Sequence, residues 1–294
     1  MGDLEGVGLY IRGLSKSKHG TPAQAAKKAA DHGLSHVAIM SDWQDYRKGK
    51  FSHLRGNMRK NRWKAYAEAF KKKDITVGLW FYPWAGHEDR LLKGLDPVCE
   101  TGLIDYLLPD PELGFKWKGG RRSSKTGTMR GGQPEAIKGV SATGTQAHRR
   151  ASAKKLMEGL KNMAHEHRLV HGVGVTSYGV AKYHPTLPWK QFLENADFLS
   201  PQLYTASPKQ VDAGIQQWYK HAKDYTSQLL PMLPSIGTFG AKSGSKMHDH
   251  LSAFVDGNEG IDGFIGWSWR QTSRDEWRVL ARWAEWLDRG VCWS

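Results

Sequence analysis

Two carboxylates stand two residues apart in Asp110-Pro111-Glu112, directly after a short apolar run. If that run is a β-strand, residues two apart point to the same side, with backbones about 6–7 Å apart. Two close carboxylates do not both ionise easily, so one of them can keep a proton at neutral pH. Cleavage of a glycosidic bond needs such an acid and a second group that stabilises an oxocarbenium-like state. Pro-Asp-Pro also suits a turn or a structural cap, and this alternative stays open.

Short β-rich runs alternate with longer helical patterns about eight times along the 294 residues. The runs predict strands at 7–11, 36–40, 76–82, 105–108, 170–176, 198–204, 228–233 and 263–269. Such alternation favours parallel strands with crossover helices, and eight units in a chain of this length favour a closed barrel. No GxGxxG follows the first strand, which disfavours a dinucleotide fold. We therefore predict an α/β fold, a single (β/α)8 TIM-type barrel domain over residues 1–294.

Catalytic groups of such barrels lie at the C-terminal ends of the strands. The residues at these ends include carboxylates that can move protons, amides and phenols that can hold hydroxyls, and indoles that can stack on sugar rings. They are Arg12, Asp42, Trp43, Tyr82, Trp84, Asp110, Glu112, Ser177, Tyr178, Gln202, Tyr204, Trp267, Trp269 and Gln271. Each Trp also has an alternative role in barrel packing.

A basic, Gly-rich insertion at residues 116–144 interrupts the alternation after the fourth strand. It carries seven Lys or Arg residues against the single acidic residue Glu135. Loops of this length are usually functional or disordered. We therefore expect the insertion to place positive charge beside the site or, alternatively, to be a mobile surface loop.

The net charge of +14 favours anionic partners such as nucleic acid, a bacterial cell wall or an anionic membrane surface. Plain solubility is the alternative. The two cysteines, Cys99 and Cys292, lie in no CxxC or Cys/His cluster, so we expect no disulfide framework, metal site or cofactor. No apolar run is long enough to span a membrane, and the first residues lack the pattern of a signal peptide.

Residues 105–112 resemble the DxxDxDxE motif of the chitinase-type (family 18) hydrolases. Asp105, Asp110 and Glu112 match the motif, and Leu108 stands in place of one Asp. The same DxE resembles that of the lysozyme-type (family 25) barrels, which cleave peptidoglycan.

Two later segments carry the same resemblance. Residues 200–204, Ser-Pro-Gln-Leu-Tyr, resemble the sixth-strand MPQxY of glycosidase-like barrels. Trp267-Ser268-Trp269 resembles the eighth-strand Trp that floors the sugar subsite in both families. The chain departs from the lysozyme type at Arg12, where those barrels place an Asp, and from the chitinase type after Tyr204, where no acid follows.

The resemblance implies roles for the strand-end residues. Glu112 would be the general acid, and Asp110, helped by Tyr204, would orient or stabilise an acetamido group of the substrate. Hydroxyl groups or a water would be held by Gln202, Tyr178 and Asp42, with Tyr82 completing the substrate-binding set. Sugar rings would stack on Trp267, Trp269 and Trp84.

Three functional hypotheses follow. The first is a glycoside hydrolase that cuts a cell-wall polysaccharide, peptidoglycan foremost, as a muramidase or glucosaminidase. A phage lysin would fit it, made in the cytoplasm and then released to the wall or packaged in a virion. The second, favoured by Leu108, is a degenerate barrel that binds carbohydrate or cell wall, or serves as a structural module of a virion. The third is nucleic-acid binding through residues 116–150, with phosphate contacts but little base stacking. The oligomeric state is left open.

Overall fold

Eight parallel strands pair in chain order, and β1 pairs with β8 to close a barrel. The computed structural model describes residues 4–41, 62–112, 114–115, 146–204, 208–222, 224–227, 230–237 and 263–289. The strands are β1 Gly6–Ile11, β2 Leu34–Met40, β3 Thr76–Phe81, β4 Tyr106–Pro109, β5 Gly172–Tyr178, β6 Phe198–Leu203, β7 Ser235–Gly237 and β8 Gly263–Trp267. The predicted (β/α)8 barrel is confirmed. The basic insertion at 116–144 lies outside the described residues.

Helices follow the strands along the chain and cover the outside of the barrel. They are α1 Lys16–His19, α2 Pro22–Asp31, α3 Arg62–Lys71, α4 Glu88–Cys99, α5 Gln146–Glu166, α6 Trp189–Leu193, α7 Pro208–Ala222 and α8 Arg274–Arg289. Helix α2 begins in a capping box, where the Thr21 hydroxyl accepts from the Gln24 backbone and the Gln24 side chain accepts from the Thr21 backbone. None of the described helices combines the length and the apolar character needed to cross a membrane.

Seven of the eight strands agree with the predicted bounds to within two residues at each end. The exception is β7, which was predicted at 228–233 but is formed by Ser235–Gly237. Met232 makes an isolated bridge to Leu199 of β6, so pairing does begin earlier. Pro234 has no N–H to donate, and regular pairing therefore resumes only after it.

Alternation along the strands separates two apolar layers. On β1, Tyr10 points into the barrel, whereas Leu9 and Ile11 point outward toward the helices. The inward residues form an interior cluster, Tyr10, Ala38, Met40, Trp80, Tyr106, Leu108, Phe198, Leu233 and Ile265. The outward residues pack with the helices into a larger outer layer. Large aromatic side chains fill the interior cluster, so the barrel is a packed core and not a pore.

Two aspartates, one buried and one half-buried, bind near the N-terminal ends of strands. Asp105 precedes β4, accepts a hydrogen bond from the backbone N–H of Val77 at 2.8 Å and pairs with Lys71 of α3. Asp197 precedes β6 and pairs in the same manner with Lys161 of α5. Asp105 matches the sequence motif described above, yet it lies at the end of the barrel opposite to the carboxyl ends of the strands. Its contacts serve the fold.

A fully buried histidine, His36, lies in the barrel interior near the N-terminal ends of the strands. The His36 ring meets Tyr106 edge to face at 6.5 Å between centroids, and its Nδ1 is hydrogen-bonded to Ser35 Oγ at 2.9 Å. Gly8 is required beside it, because a Cβ at Gly8 would lie 2.0 Å from His36 Nε2. Burial, reinforced by the nearby His171, lowers the pKa of His36 to about 3.

Acid should therefore destabilise the protein through His36. Below the ordinary histidine pKa of about 6.5, the unfolded chain binds a proton that the folded barrel binds only near pH 3. This contribution to stability is complete above about pH 6.5 and is lost as the pH falls toward 3, by at most about 1.4 kcal/mol per pH unit. Urea unfolding of wild type and His36→Gln at several pH values measures the slope. The variant should show a shallower slope, and equal slopes would contradict the prediction.

Candidate active site

The inward side of β4 leads to the mouth of the barrel. Tyr106 and Leu108 point into the interior cluster, and the same alternation carries Asp110 to the inward side just after the strand. The backbone N–H of Asp110 donates to the carbonyl of Phe81 at 2.8 Å, which extends the pairing with β3 by one residue. Asp110 is only 1% exposed. A carboxylate this buried needs hydrogen-bond donors.

Those donors come from two other strands, the adjacent β3 and the more distant β6. Gln202 Nε2 of β6 donates to Asp110 Oδ1 at 3.0 Å, and Trp80 Nε1 of β3 donates to Asp110 Oδ2 at 3.3 Å. Both carboxylate oxygens thus accept an N–H, as a buried carboxylate requires. Asp110 and Gln202, both predicted as site residues, are therefore in direct contact.

Five aromatic side chains, Tyr10, Trp80, Tyr82, Tyr204 and Trp267, form an aromatic floor beside Asp110. Trp80 lies at its centre, with ring centroids 4.8 Å from Trp267, 5.2 Å from Tyr82 and 5.4 Å from Tyr10. Tyr204 lies 5.9 Å from Trp267. Trp80 and Tyr10 are buried, whereas the other three rings are half-buried. The half-buried rings are those that a ligand in the barrel mouth can contact.

The phenol of Tyr204 remains protonated in this setting. Burial is the main cause that raises its pKa well above the ordinary value, and the neighbouring phenols Tyr10 and Tyr82 and the carboxylates Asp110 and Glu112 act in the same direction. A protonated phenol is a hydrogen-bond donor. Tyr204 can therefore donate to a polar group of a ligand close to both predicted carboxylates.

Contacts on both sides fix the backbone at Glu112. The Ser177 hydroxyl of β5 donates to the Pro111 carbonyl at 2.8 Å, and the Phe115 N–H donates to the Glu112 carbonyl at 3.1 Å. Phe115 is fully buried against Phe192 of α6, at 5.0 Å between ring centroids. The half-buried Glu112 side chain therefore extends from a turn that is anchored in the outer layer.

A polar layer crosses the barrel below the aromatic floor. The Tyr10 hydroxyl lies 2.8 Å from Ser235 Oγ, 3.4 Å from Ser200 Oγ and 3.2 Å from Thr176 Oγ1. Burial raises the pKa of Tyr10 to about 12, so its proton stays in the network. Sequence reasoning missed Tyr10 and Trp80, because it considered only strand ends. Their inward positions on β1 and β3 were the signal that could have found them.

The structure places Trp269 away from this group. Its ring is buried in the outer layer, where it lies 4.8 Å from Trp277, 5.8 Å from His19 and 6.2 Å from Phe70 between ring centroids. A sugar ring at the barrel mouth does not reach a side chain covered in this way. Trp267 is the aromatic residue of this segment that joins the floor.

Tyr178 and Trp84, two further predicted site residues, make contacts beyond the aromatic floor. Tyr178 stacks on His184 at 3.7 Å between ring centroids and packs against the outer layer. The buried Trp84 ring lies against Gly114, where an added Cβ would approach it to 3.0 Å. Asp42 lies outside the described residues. Within the described ranges, no group of three His, Cys, Asp or Glu side chains is placed to hold a metal ion.

The chain matches no protein-family profile. It also matches no curated protein sequence. Its structure is similar to that of a GH18 chitinase from Pseudoalteromonas aurantia, with a TM-score of 0.59 and 11% identity over 97% of this chain and 100% of the other. An endo-β-1,4-mannanase from Thermotoga petrophila gives 0.57 and 13%, over 99% and 78%. A chitinase-like lectin from tamarind gives 0.51 and 11%, over 97% and 98%. At these identities the likeness shows the shared fold.

Removal of the Asp110 carboxylate should destabilise the barrel. In Asp110→Leu, the N–H groups of Trp80 and Gln202 lose their acceptor, and unsatisfied buried donors cost about 1–3 kcal/mol. Chemical denaturation measures the loss. Asp31→Leu is the matched control, since exposed Asp31 pairs with exposed Lys27 and its loss should change stability by less than about 1 kcal/mol. Equal effects of the two substitutions would contradict the hydrogen-bonded role of Asp110.

Proposed function

We propose that the protein is a glycoside hydrolase that acts on a cell-wall polysaccharide, with Glu112 as the general acid. The observation that carries this proposal is the Asp110 carboxylate, which Gln202 and Trp80 hold beside Tyr204. Carboxylates, a protonated phenol and half-buried aromatic rings at the carboxyl ends of barrel strands are groups that glycosidic cleavage can use. Chitinases and mannanases among the structures with the same fold support the assignment.

The chemistry assigns one role to each group. The Glu112 carboxyl donates its proton to the glycosidic oxygen while the bond between that oxygen and the anomeric carbon breaks. The negative charge of Asp110 stabilises the positive charge that develops on the sugar or on its acetamido group. Tyr204 donates a hydrogen bond to the acetamido group, and the face of the Trp267 indole stacks on the sugar ring. A water then adds to the sugar, and its proton returns to Glu112.

The charge of the chain supports an anionic polymer as the substrate. A surplus of +14 attracts the protein to bacterial cell walls, whose anionic groups would concentrate it at the surface. Peptidoglycan, cut by muramidase or glucosaminidase action, is the substrate that we propose, and a phage lysin is the setting in which such an enzyme would act.

Cleavage assays test the assignment of Glu112. Wild type should release reducing ends from purified peptidoglycan and clear a cell-wall suspension, with chitin and mannan as comparison polymers. Glu112→Gln removes the transferable proton and should lower kcat by about 100-fold or more. Glu68→Gln makes the same chemical change on the exposed surface of α3 and should keep full activity. If wild type and Glu112→Gln were equally inactive on all three polymers, the hydrolase proposal would fail.

A carbohydrate-binding module without turnover is the second candidate. Leu108 favours it, because an apolar side chain fully buried in the interior cluster stands where the chitinase-type motif has an Asp. The tamarind protein of the same fold is a chitinase-like lectin, which agrees with a binding role. This candidate also covers a wall-binding or structural module of a virion. Polymer binding that survives Glu112→Ala without cleavage products would favour this second candidate over the first.

A further inference from the structure

The loop that follows β5 begins beside the candidate active site. Tyr178, the last residue of β5, pairs in register with Gln202 of β6, and Gln202 holds the Asp110 carboxylate. Gly179, the next residue, lies so close that an added Cβ would be 2.4 Å from the Gln202 carbonyl oxygen. Residues 179–188, here named the β5–α6 loop, therefore leave the site in direct contact with one of its members.

Packing holds the β5–α6 loop in place. Ala181 and Leu187 are buried in the outer layer. His184 stacks on Tyr178, with 22° between the ring planes, and its carbonyl accepts a hydrogen bond from Trp189 Nε1 at 3.0 Å. These contacts anchor the loop on both sides of Tyr183, at Ala181 before it and at His184 after it.

Tyr183 itself is 70% exposed to solvent. Tyr183 closes a single 3-10 turn, Ala181–Tyr183, directly before the stacked His184. The other large apolar side chain exposed to a similar degree among the described residues is Val170, which precedes β5 at the opposite end of the barrel. An aromatic ring on an anchored loop loses little conformational freedom when it binds a flat ligand.

We infer that Tyr183 forms an outlying sugar-binding subsite, on which a polysaccharide chain extending from the active site rests one of its rings. This inference rests on the proposed function for the identity of the ligand. It assigns the β5–α6 loop to the recognition of long chains: a short oligosaccharide fills only the space above the aromatic floor, whereas a longer one also reaches Tyr183. The apolar face of a pyranose ring fits the exposed phenol ring, and the phenol hydroxyl can bond to a sugar hydroxyl.

Binding measurements on a series of chain lengths test the subsite. The ligands are the dimer and the hexamer of β-1,4-linked N-acetylglucosamine and soluble peptidoglycan, titrated into wild type, Tyr183→Ala, Tyr183→Phe and Val170→Ala. Tyr183→Ala should weaken the binding of the hexamer and of peptidoglycan about fivefold to tenfold and leave the dimer unchanged. Tyr183→Phe keeps the ring and should remain within about twofold of wild type. Val170→Ala, an exposed truncation at the other end of the barrel, should match wild type.

Equal binding of the hexamer by wild type and Tyr183→Ala would overturn the inference, as would an equal loss for dimer and hexamer. A protein that binds none of these ligands would overturn it too. The titrations do not depend on cleavage, so a protein that binds these sugars but cuts none of them would refute the hydrolase and still decide the role of Tyr183.

Discussion

A carboxylate buried at the mouth of a barrel must receive hydrogen bonds, and Asp110 receives them from two other strands. Trp80 of β3 and Gln202 of β6 donate to its two oxygens, so the side chain that directly follows β4 joins three strands of the barrel. Burial strengthens these bonds and makes the loss of any partner costly. The same contact links Asp110 to the neighbouring aromatic rings, since Trp80 is also the centre of the aromatic floor.

The barrel interior has three levels along its axis, and the residues of each level have a different role. Near the N-terminal ends of the strands, His36 is buried without charge and Asp105 binds the edge of β3. In the middle, the Tyr10 hydroxyl joins β1 to three strands on the far side through a network of hydroxyl groups. Only above this level do half-buried polar and aromatic side chains such as Tyr204 face the mouth. Stability and ligand contact are therefore assigned to opposite ends of the same strands, as is general for this architecture.

The buried side chain of Leu108 affects both the stability and the possible chemistry of the barrel. It occupies an inward position between Tyr106 and Asp110, within the interior cluster, and contributes packing where the resembling motif would place another acid. A carboxylate there would need further buried donors, because Trp80 and Gln202 already serve Asp110. Along the inward side of this segment, Leu108 therefore supplies apolar packing and Asp110 supplies the carboxylate.

The sequence by itself determined the number, order and type of the strands, because apolar runs, caps and turn residues are local signals. It also determined that Asp110, Gln202, Tyr204 and Trp267 would lie at strand ends. Tertiary structure alone decided which side chains meet. Trp267 and Trp269 are two residues apart, yet one joins the aromatic floor and the other is covered by helices. The role of Trp80, a residue inside a strand, depends on a partner 30 residues away along the chain. Such contacts arise only when the barrel closes and brings distant strands together, and no local pattern encodes that distance.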